Sequence, residues 1–333
     1  MNDPSVKTQH IILVTYGEPP DARFTDQLQY SWRILLGLTR TIAPIPRVLL
    51  PVIAVARGRL RTRTWRDEHY SSPLEPITAR QARALEAELV DRDDSSRWRV
   101  HVAYEFRAPL IGEMLTAIPA DESVVIIPMY AAESAFTHAL SRSTVDNLAH
   151  ARPLATRARV LPAFSADTLG EIAASYVLDA VASRPEWRGP DVALVLAAHG
   201  TLLQPARPVD TGLAATERLI AEIKSRLSTE FGLVVNGWLN HTRGGRWTEP
   251  AMDDALARVV EAGFTKAVYF PYGFLADNAE TELEGRMALR KQPRLQAWHL
   301  PCLNDAPSLI GALASAVIGR DREARAVGAA LSH

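Results

Sequence analysis

Eight short apolar runs rich in Val, Ile and Leu alternate with helical patterns along this chain, and that alternation leaves few folds open. The first four are "HIILVTY" (10–16), "RVHVAY" (99–104), "SVVIIPMY" (123–130) and "ARVLPAF" (158–164). The second four are "DVALVLAA" (191–198), "LVVNGWL" (233–239), "KAVYFPY" (266–272) and "QAWHLP" (296–301). Strands that are apolar on both faces belong to parallel sheets with helices on either side. The helical segments include "ARQARALEAELVDR" (79–92), "GEIAASYVLDAVAS" (170–183), "AATERLIAEIKSRLS" (214–228) and "AMDDALARVVEAG" (251–263). The expected fold is therefore α/β: two doubly wound, Rossmann-like domains, each with a four-stranded parallel sheet, over 1–165 and 166–320. A final helix near 306–319 should pack back across the interface, with 321–333 as a tail. "ILVTYGEP" matches "LVLAAHGT", and "IIPMYAAESA" matches "YFPYGFLADNA", so the second half reads as a duplicate of the first.

Composition excludes several classes of function. With 47% hydrophobic and 23% charged residues over 333 positions, the chain has material for a large core. A formal net charge of −1 gives no bulk attraction to nucleic acid. Cys302 is the single cysteine, so there is no internal disulfide and no four-cysteine iron–sulfur cluster. The apolar segment "IILVTY" is too short for a signal sequence, and "RVLLPVIAVA" (47–56) is about half of the ~20 residues a membrane span requires. A cytoplasmic location is expected.

In open α/β sheets a ligand sits beyond the carboxyl ends of the strands. That places the loops after Tyr16, Tyr130 and His199, and the stretch around Asp277, at the site. His199 ends an apolar strand and precedes Gly200, a residue that lets the chain turn away or a ligand approach. No GxGxxG, Walker, HExxH or CxxC pattern is present, so neither a nucleotide fingerprint nor a caged structural metal is encoded. Within "FPYGFLADNAETELEGR" (270–286), Asp277 and Glu280 read as N-cap and reciprocal acceptor of a capping box. Glu284 lies one turn beyond Glu280, where like charges repel by a few tenths of a kcal/mol. A carboxylate pair held at such a cost, opposite a histidine, makes a short chain of proton acceptors that can also hold a metal ion transiently. Tyr16 offers a phenol from the other wall.

Two further stretches stand out. "RILLGLTRTIAPIPRVLLPVIAVARGRLRTRTWR" (33–66) is apolar, broken by prolines and then basic. It reads as a surface excursion forming an apolar lip over a greasy ligand, with contact to an anionic membrane surface as its extension. Ser71 and Ser72 precede Pro73 at a turn that could bind an anionic group.

In order and spacing, "YGEP" (16–19), "YSSPLEPITARQA" (70–82), "VVIIPMYAAESAFT" (124–137), "AAHGT" (197–201), "WLNHTRGGRWTEP" (238–250), "YGFLADNAETELE" (272–284) and "LPCLNDAP" (300–307) resemble the ferrochelatases. The resemblance covers about residues 10–315. It implies insertion of ferrous iron into a porphyrin, protoporphyrin IX or coproporphyrin III, in haem biosynthesis. Porphyrin and iron are then substrates, with no tightly bound cofactor and no iron–sulfur cluster. Other haem-pathway enzymes and a peripheral inner-membrane site are the contacts it allows; nucleic acid is not. The catalytic pair falls on His199 and Glu280, also the implied metal contacts. Glu284 and Asp277 continue the acidic line as proton relay or metal path. Tyr16 faces metal and macrocycle, as in coproporphyrin-type members, whereas the lip resembles protoporphyrin-type ones. Ser71, Ser72, Arg33 and Arg47 are assigned to the propionates. The chain departs from the family pattern at Asn278, where a histidine is usual, and at Glu105 and Phe106, where an arginine and a tyrosine are usual. These departures admit two rivals: a carrier of porphyrin or haem that performs no chemistry, and a chelatase for another tetrapyrrole.

Overall fold

The computed structural model describes residues 7–41, 45–119, 122–151, 158–239 and 245–330. Two four-stranded sheets form, and every strand pairing within them is parallel. The first contains β1 (Thr8–Thr15), β2 (Arg97–Tyr104), β3 (Ser123–Pro128) and β4 (Ala158–Val160) in the order β2-β1-β3-β4. The second contains β5 (Gly189–His199), β6 (Phe231–Leu239), β7 (Lys266–Phe270) and β8 (Gln296–His299) in the order β6-β5-β7-β8. The two orders are the same, so β1 and β5 are equivalent central strands. Ile11, Ile12, Leu13 and Val14 of β1 are fully buried, as are Ala193–Ala197 of β5. Burial of consecutive residues, which point to alternate faces, is what a centre strand covered on both sides requires.

Helices flank the first sheet as α1 (Phe24–Thr41), α2 (Leu50–Asp67), α3 (Leu74–Arg92), α4 (Ile111–Ala117) and α5 (His138–Ala151). The second half has α6 (Ala166–Ala182), α7 (Leu213–Leu227), α8 (Met252–Glu261), α9 (Gly285–Arg290) and α10 (Pro307–Ala330). One apolar core joins the halves: Leu13, Leu85 and Leu89 from the first meet Val177, Leu194, Leu313 and Val317 from the second. Cutting one such leucine to alanine would cost about 2–5 kcal/mol. Polar ties reinforce the junction, since Gln81 Nε2 donates to the carbonyls of Leu275 (2.9 Å) and Asn304 (2.7 Å).

Two expectations are refined. The helix placed at 306–319 continues to Ala330, through a stretch rich in good helix formers. The excursion at 33–66 is built of helices, the end of α1 and most of α2, and Pro51 is tolerated because it sits at the start of α2, where a missing N–H costs nothing. The pair packs closely: a Cβ on Gly58 would lie 3.0 Å from Leu28 Cα. Residues 240–244 of "WLNHTRGGRWTEP" lie outside the described residues.

Candidate active site

The carboxyl ends of β1, β2, β3 and β5 and the loop after β7 converge between the sheets. Two glycines permit this. Gly17, directly after Tyr16, has φ +70°, and a Cβ there would strike Tyr104 Cβ at 2.8 Å. A Cβ on Gly273 would lie 2.8 Å from Ala198 Cα, so the β7 loop passes directly against the tip of β5. Tyr130, at the end of β3, bridges through its backbone to Phe274, and the Phe274 ring stands edge-on to His199 at 6.4 Å. The ring of Tyr16 stacks on Tyr130 at 6.5 Å. One aromatic path thus crosses from the first half to the histidine of the second.

The acid stretch forms a π-helical turn, Ala279–Glu284, that runs into α9. Such turns are rare, and frequent at functional sites. Its N-cap is Asn278, not Asp277. Asn278 Oδ1 accepts from the N–H groups of Glu280 (2.9 Å) and Thr281 (3.2 Å), and its own N–H donates to Thr281 Oγ1 (2.9 Å). Asp277 is buried and faces the other way, accepting from Cys302 N (2.8 Å) and Asn304 Nδ2 (2.7 Å). It pins the loop before α10 and is not a member of the acidic line. Either residue type can cap a helix; the donors on the 302–304 loop decide which one does.

With capping assigned to Asn278, Glu280 is released for another partner. His199 Nδ1 lies 2.9 Å from both carboxylate oxygens of Glu280. The side chain of Glu280 is 10% exposed and that of His199 50% exposed, so the carboxylate is sheltered while the ring stays open. A carboxylate only accepts, which makes Nδ1 the proton-bearing nitrogen of neutral His199 and leaves the Nε2 lone pair available. Burial lowers the histidine's pKa, but the charge and hydrogen bond of Glu280, with Glu284 behind it, outweigh burial and Arg57 and raise it above 6.5. Glu284 is pushed up from 4.5 to about 8, first by burial and then by the Glu280 charge, against the pull of Arg61 and His199. Tyr16 is half-buried and held well above the ordinary phenol range by burial and then by Glu18.

The remaining assigned residues are dispersed. Ser71 is exposed, but Ser72 is buried and its hydroxyl donates to Glu18 Oε2 at 2.7 Å, so it is not free to meet a propionate. Arg33 is half-buried and donates to the carbonyl of Phe106 at 3.2 Å, beside the end of β2. Arg47 is exposed on a short 3-10 turn before α2.

One carboxylate escaped the sequence reading, and a second entered it only as a departure from the family pattern. Glu18, inside "YGEP", is buried at the junction of the halves. An acid between a strand tip and two prolines is a usable signal, but its partners are distant in sequence. Glu105 accepts from Ser141 Oγ at 2.7 Å, and burial raises its pKa to about 7. Phe106, its neighbour, stacks on Phe136 at 5.5 Å.

The ferrochelatase family model matches residues 8–320. The chain belongs to the ferrochelatase family. A curated ferrochelatase of Azoarcus sp. is 30% identical over 266 residues, 75% of this chain and 68% of the relative. One of Phenylobacterium zucineum is 29% identical over 261 residues, 74% and 72% of the two chains. The solved structure of SirB from Bacillus subtilis with Fe3+ shares the fold at 11% identity and TM-score 0.54, covering 93% of this chain and 94% of that one. As a ferrochelatase-family member the chain is a metal-inserting enzyme of porphyrin metabolism, and His199, Glu280 and Glu284 lie where its two halves meet.

Proposed function

We propose that this chain inserts ferrous iron into a porphyrin in the cleft between its sheets, with His199 and Glu280 as the reacting pair. The observation that carries the reading is the half-open imidazole held through Nδ1 by a sheltered carboxylate. Metallation removes two pyrrole protons and strips a hydrated cation. A planar macrocycle aims its nitrogen lone pairs poorly at the incoming ion, so the apolar cleft contributes by holding it bent. Nε2 of His199 accepts the two pyrrole protons one after the other, the first being passed on before the second arrives, and Glu280 stabilises the imidazolium that forms each time. Glu284 takes the proton onward; a carboxyl raised to about 8 both binds and releases protons near neutral pH. Tyr16 meets the macrocycle from the opposite wall.

Among the described residues, no group of three His, Cys, Asp or Glu is arranged to hold a metal ion. On this reading iron is a substrate that passes through the site, as the family match supports. Arg33 and Arg47 are the cationic candidates for the propionates. The lip supports a peripheral membrane contact: Val48 in the turn before α2 and Val52 and Leu60 on α2 are 80%, 68% and 65% exposed, with Arg59, Arg63 and Arg66 exposed along that helix. Among the described residues, no helix is long and apolar enough to cross a membrane.

Purified protein mixed anaerobically with ferrous iron and either protoporphyrin IX or coproporphyrin III, followed by absorbance, tests the reading and selects the porphyrin. Metalloporphyrin should form at a rate proportional to enzyme. Porphyrin that binds and stays free of metal would replace the enzyme by a carrier.

A further inference from the structure

We propose that Glu18 is a positioning residue for metal insertion: from the first half of the molecule it fixes the start of the acid turn, and thereby the aim of Glu280 at His199. The inference rests on the reading of His199 and Glu280 as the reacting pair.

The side chain of Glu18 is 4% exposed and takes donors from three separate elements. Oε2 accepts from Ser72 Oγ, before α3, at 2.7 Å and from the N–H of Ala279 at 3.0 Å. Oε1 accepts from Arg61 Nη2 of α2 at 3.4 Å. The Ala279 bond is the informative one. Asn278 holds the N–H groups of Glu280 and Thr281 and leaves that of Ala279. A carboxylate 261 positions earlier in the chain takes it. The first-turn donors of a helix have no partner within the helix, and here the one that immediately precedes Glu280 is held from across the cleft. Ala279 and Leu283 also pack on Trp65 and Tyr70, so the turn is seated on the first half by apolar contact as well.

The same carboxylate reaches both walls of the site. Glu18 follows Tyr16 by two residues, so the loop that carries the phenol and the turn that carries Glu280 are tied at one point. Arg61 extends the tie to the lip. Its guanidinium lies over the rings of Tyr30 (5.1 Å) and Trp65 (5.0 Å), and its Nε donates to Gln27 Oε1 (2.8 Å). A substrate that shifts α2 therefore pulls on the residue that aims the pair. Charge alone is the competing explanation, in which Glu18 acts as a further acid facing the relay.

Reach and charge separate in two variants. Glu18→Gln keeps the length and an acceptor oxygen for Ser72 and Ala279 but loses the charge. Glu18→Asp keeps the charge but is one methylene too short to span the same donors. The variants are compared by kcat and porphyrin KM, and by NMR titration of the His199 imidazole in the substrate-free protein. Glu280, Glu284 and Arg57 are the charged groups that set that titration, and the Phe274 ring stands beside it. Positioning predicts that Glu18→Asp loses about 10²-fold in kcat, the scale of a small misplacement, with KM within about twofold. It also predicts that the His199 pKa falls toward 6.5 in that variant and stays raised in Glu18→Gln, which keeps kcat within about threefold. Equal loss in both variants, or loss in Glu18→Gln alone, would assign the effect to charge and overturn the proposal. Unchanged kcat and titration in both would reduce Glu18 to a structural bond. If the shorter variant does not fold, Glu18→Met takes its place, keeping the length without an acceptor for Ala279 N–H: positioning predicts the same loss of kcat and fall of the His199 pKa, and wild-type values in it would overturn the proposal. The titration is read without turnover, so a failure of the metal-insertion reading is visible separately as an inactive wild type with an intact His199 shift.

Discussion

The tips of β1 and β5 hold the same place in two sheets of the same strand order, each with a glycine after the residue that faces the cleft. At β5 the chain reads His199-Gly200-Thr201, and the ring stays half open with one nitrogen held by Glu280. At β1 it reads Tyr16-Gly17-Glu18, and the acid is sealed among Ser72, Arg61 and the Ala279 N–H. Both tips carry an ionisable group within reach of the acid turn. One leaves a lone pair toward the cleft; the other has its oxygens engaged from three directions. The difference shows how two sheets of one strand order can separate labour: on the proposed reading, one loop supplies chemistry and the other supplies the frame that holds it.

Breaking the reactive tip should have the largest effect. Glu280→Gln removes the charge that stabilises the imidazolium, so kcat for metal insertion should fall by about 10²-fold or more, with porphyrin affinity retained. Wild-type turnover would return Glu280 to a structural role. The pH profile sharpens the same contrast. His199 must be neutral to accept a proton, and its pKa is raised by Glu280, so kcat should climb through a point above 6.5 as pH rises. In Glu280→Gln that limb should move to lower pH, narrowing the deficit under acidic conditions; an unmoved limb would place the controlling group elsewhere.

Glu284 gives a smaller effect, read as stability. Its folded pKa is about 8 against an ordinary 4.5, so the folded state binds the extra proton. Stability is unaffected by this group below 4.5 and is lost progressively as pH rises toward 8. Glu284→Gln should therefore raise the melting temperature by about 2–4 °C or more at pH 8.5 and leave it unchanged near pH 4.5. Equal melting at both values would remove Glu284 from the coupled line. The smallest effect belongs to the lip. Paired Val52→Glu and Leu60→Glu should weaken flotation with anionic vesicles and leave kcat on dissolved porphyrin unchanged, whereas unaltered flotation would end the membrane reading.

The eight strands were legible because burial on both faces writes itself as an unbroken apolar run, and Ile11–Val14 is such a run. That His199 and Glu280 come together was legible through the resemblance and through a charge pair that capping alone did not explain. The lip helices were obscured by prolines, whose effect depends on where the helix starts. Asp277 and Asn278 are adjacent and both competent to cap, so only the distant 302–304 loop separates their roles. Glu18 was illegible for the same reason: each of its donors comes from an element that only the folded chain brings near, Ala279 from 261 positions away. Glu105, where the family pattern has an arginine, was visible as a departure; its bond to Ser141 and raised pKa belong to the fold.

The central claim is that the open nitrogen of His199 accepts the pyrrole proton. Its most direct test is His199→Ala assayed for metalloporphyrin formation alongside porphyrin binding by fluorescence quenching. The account predicts binding within about threefold of wild type and insertion reduced by about 10²–10⁴-fold. Undiminished insertion by this variant would contradict it.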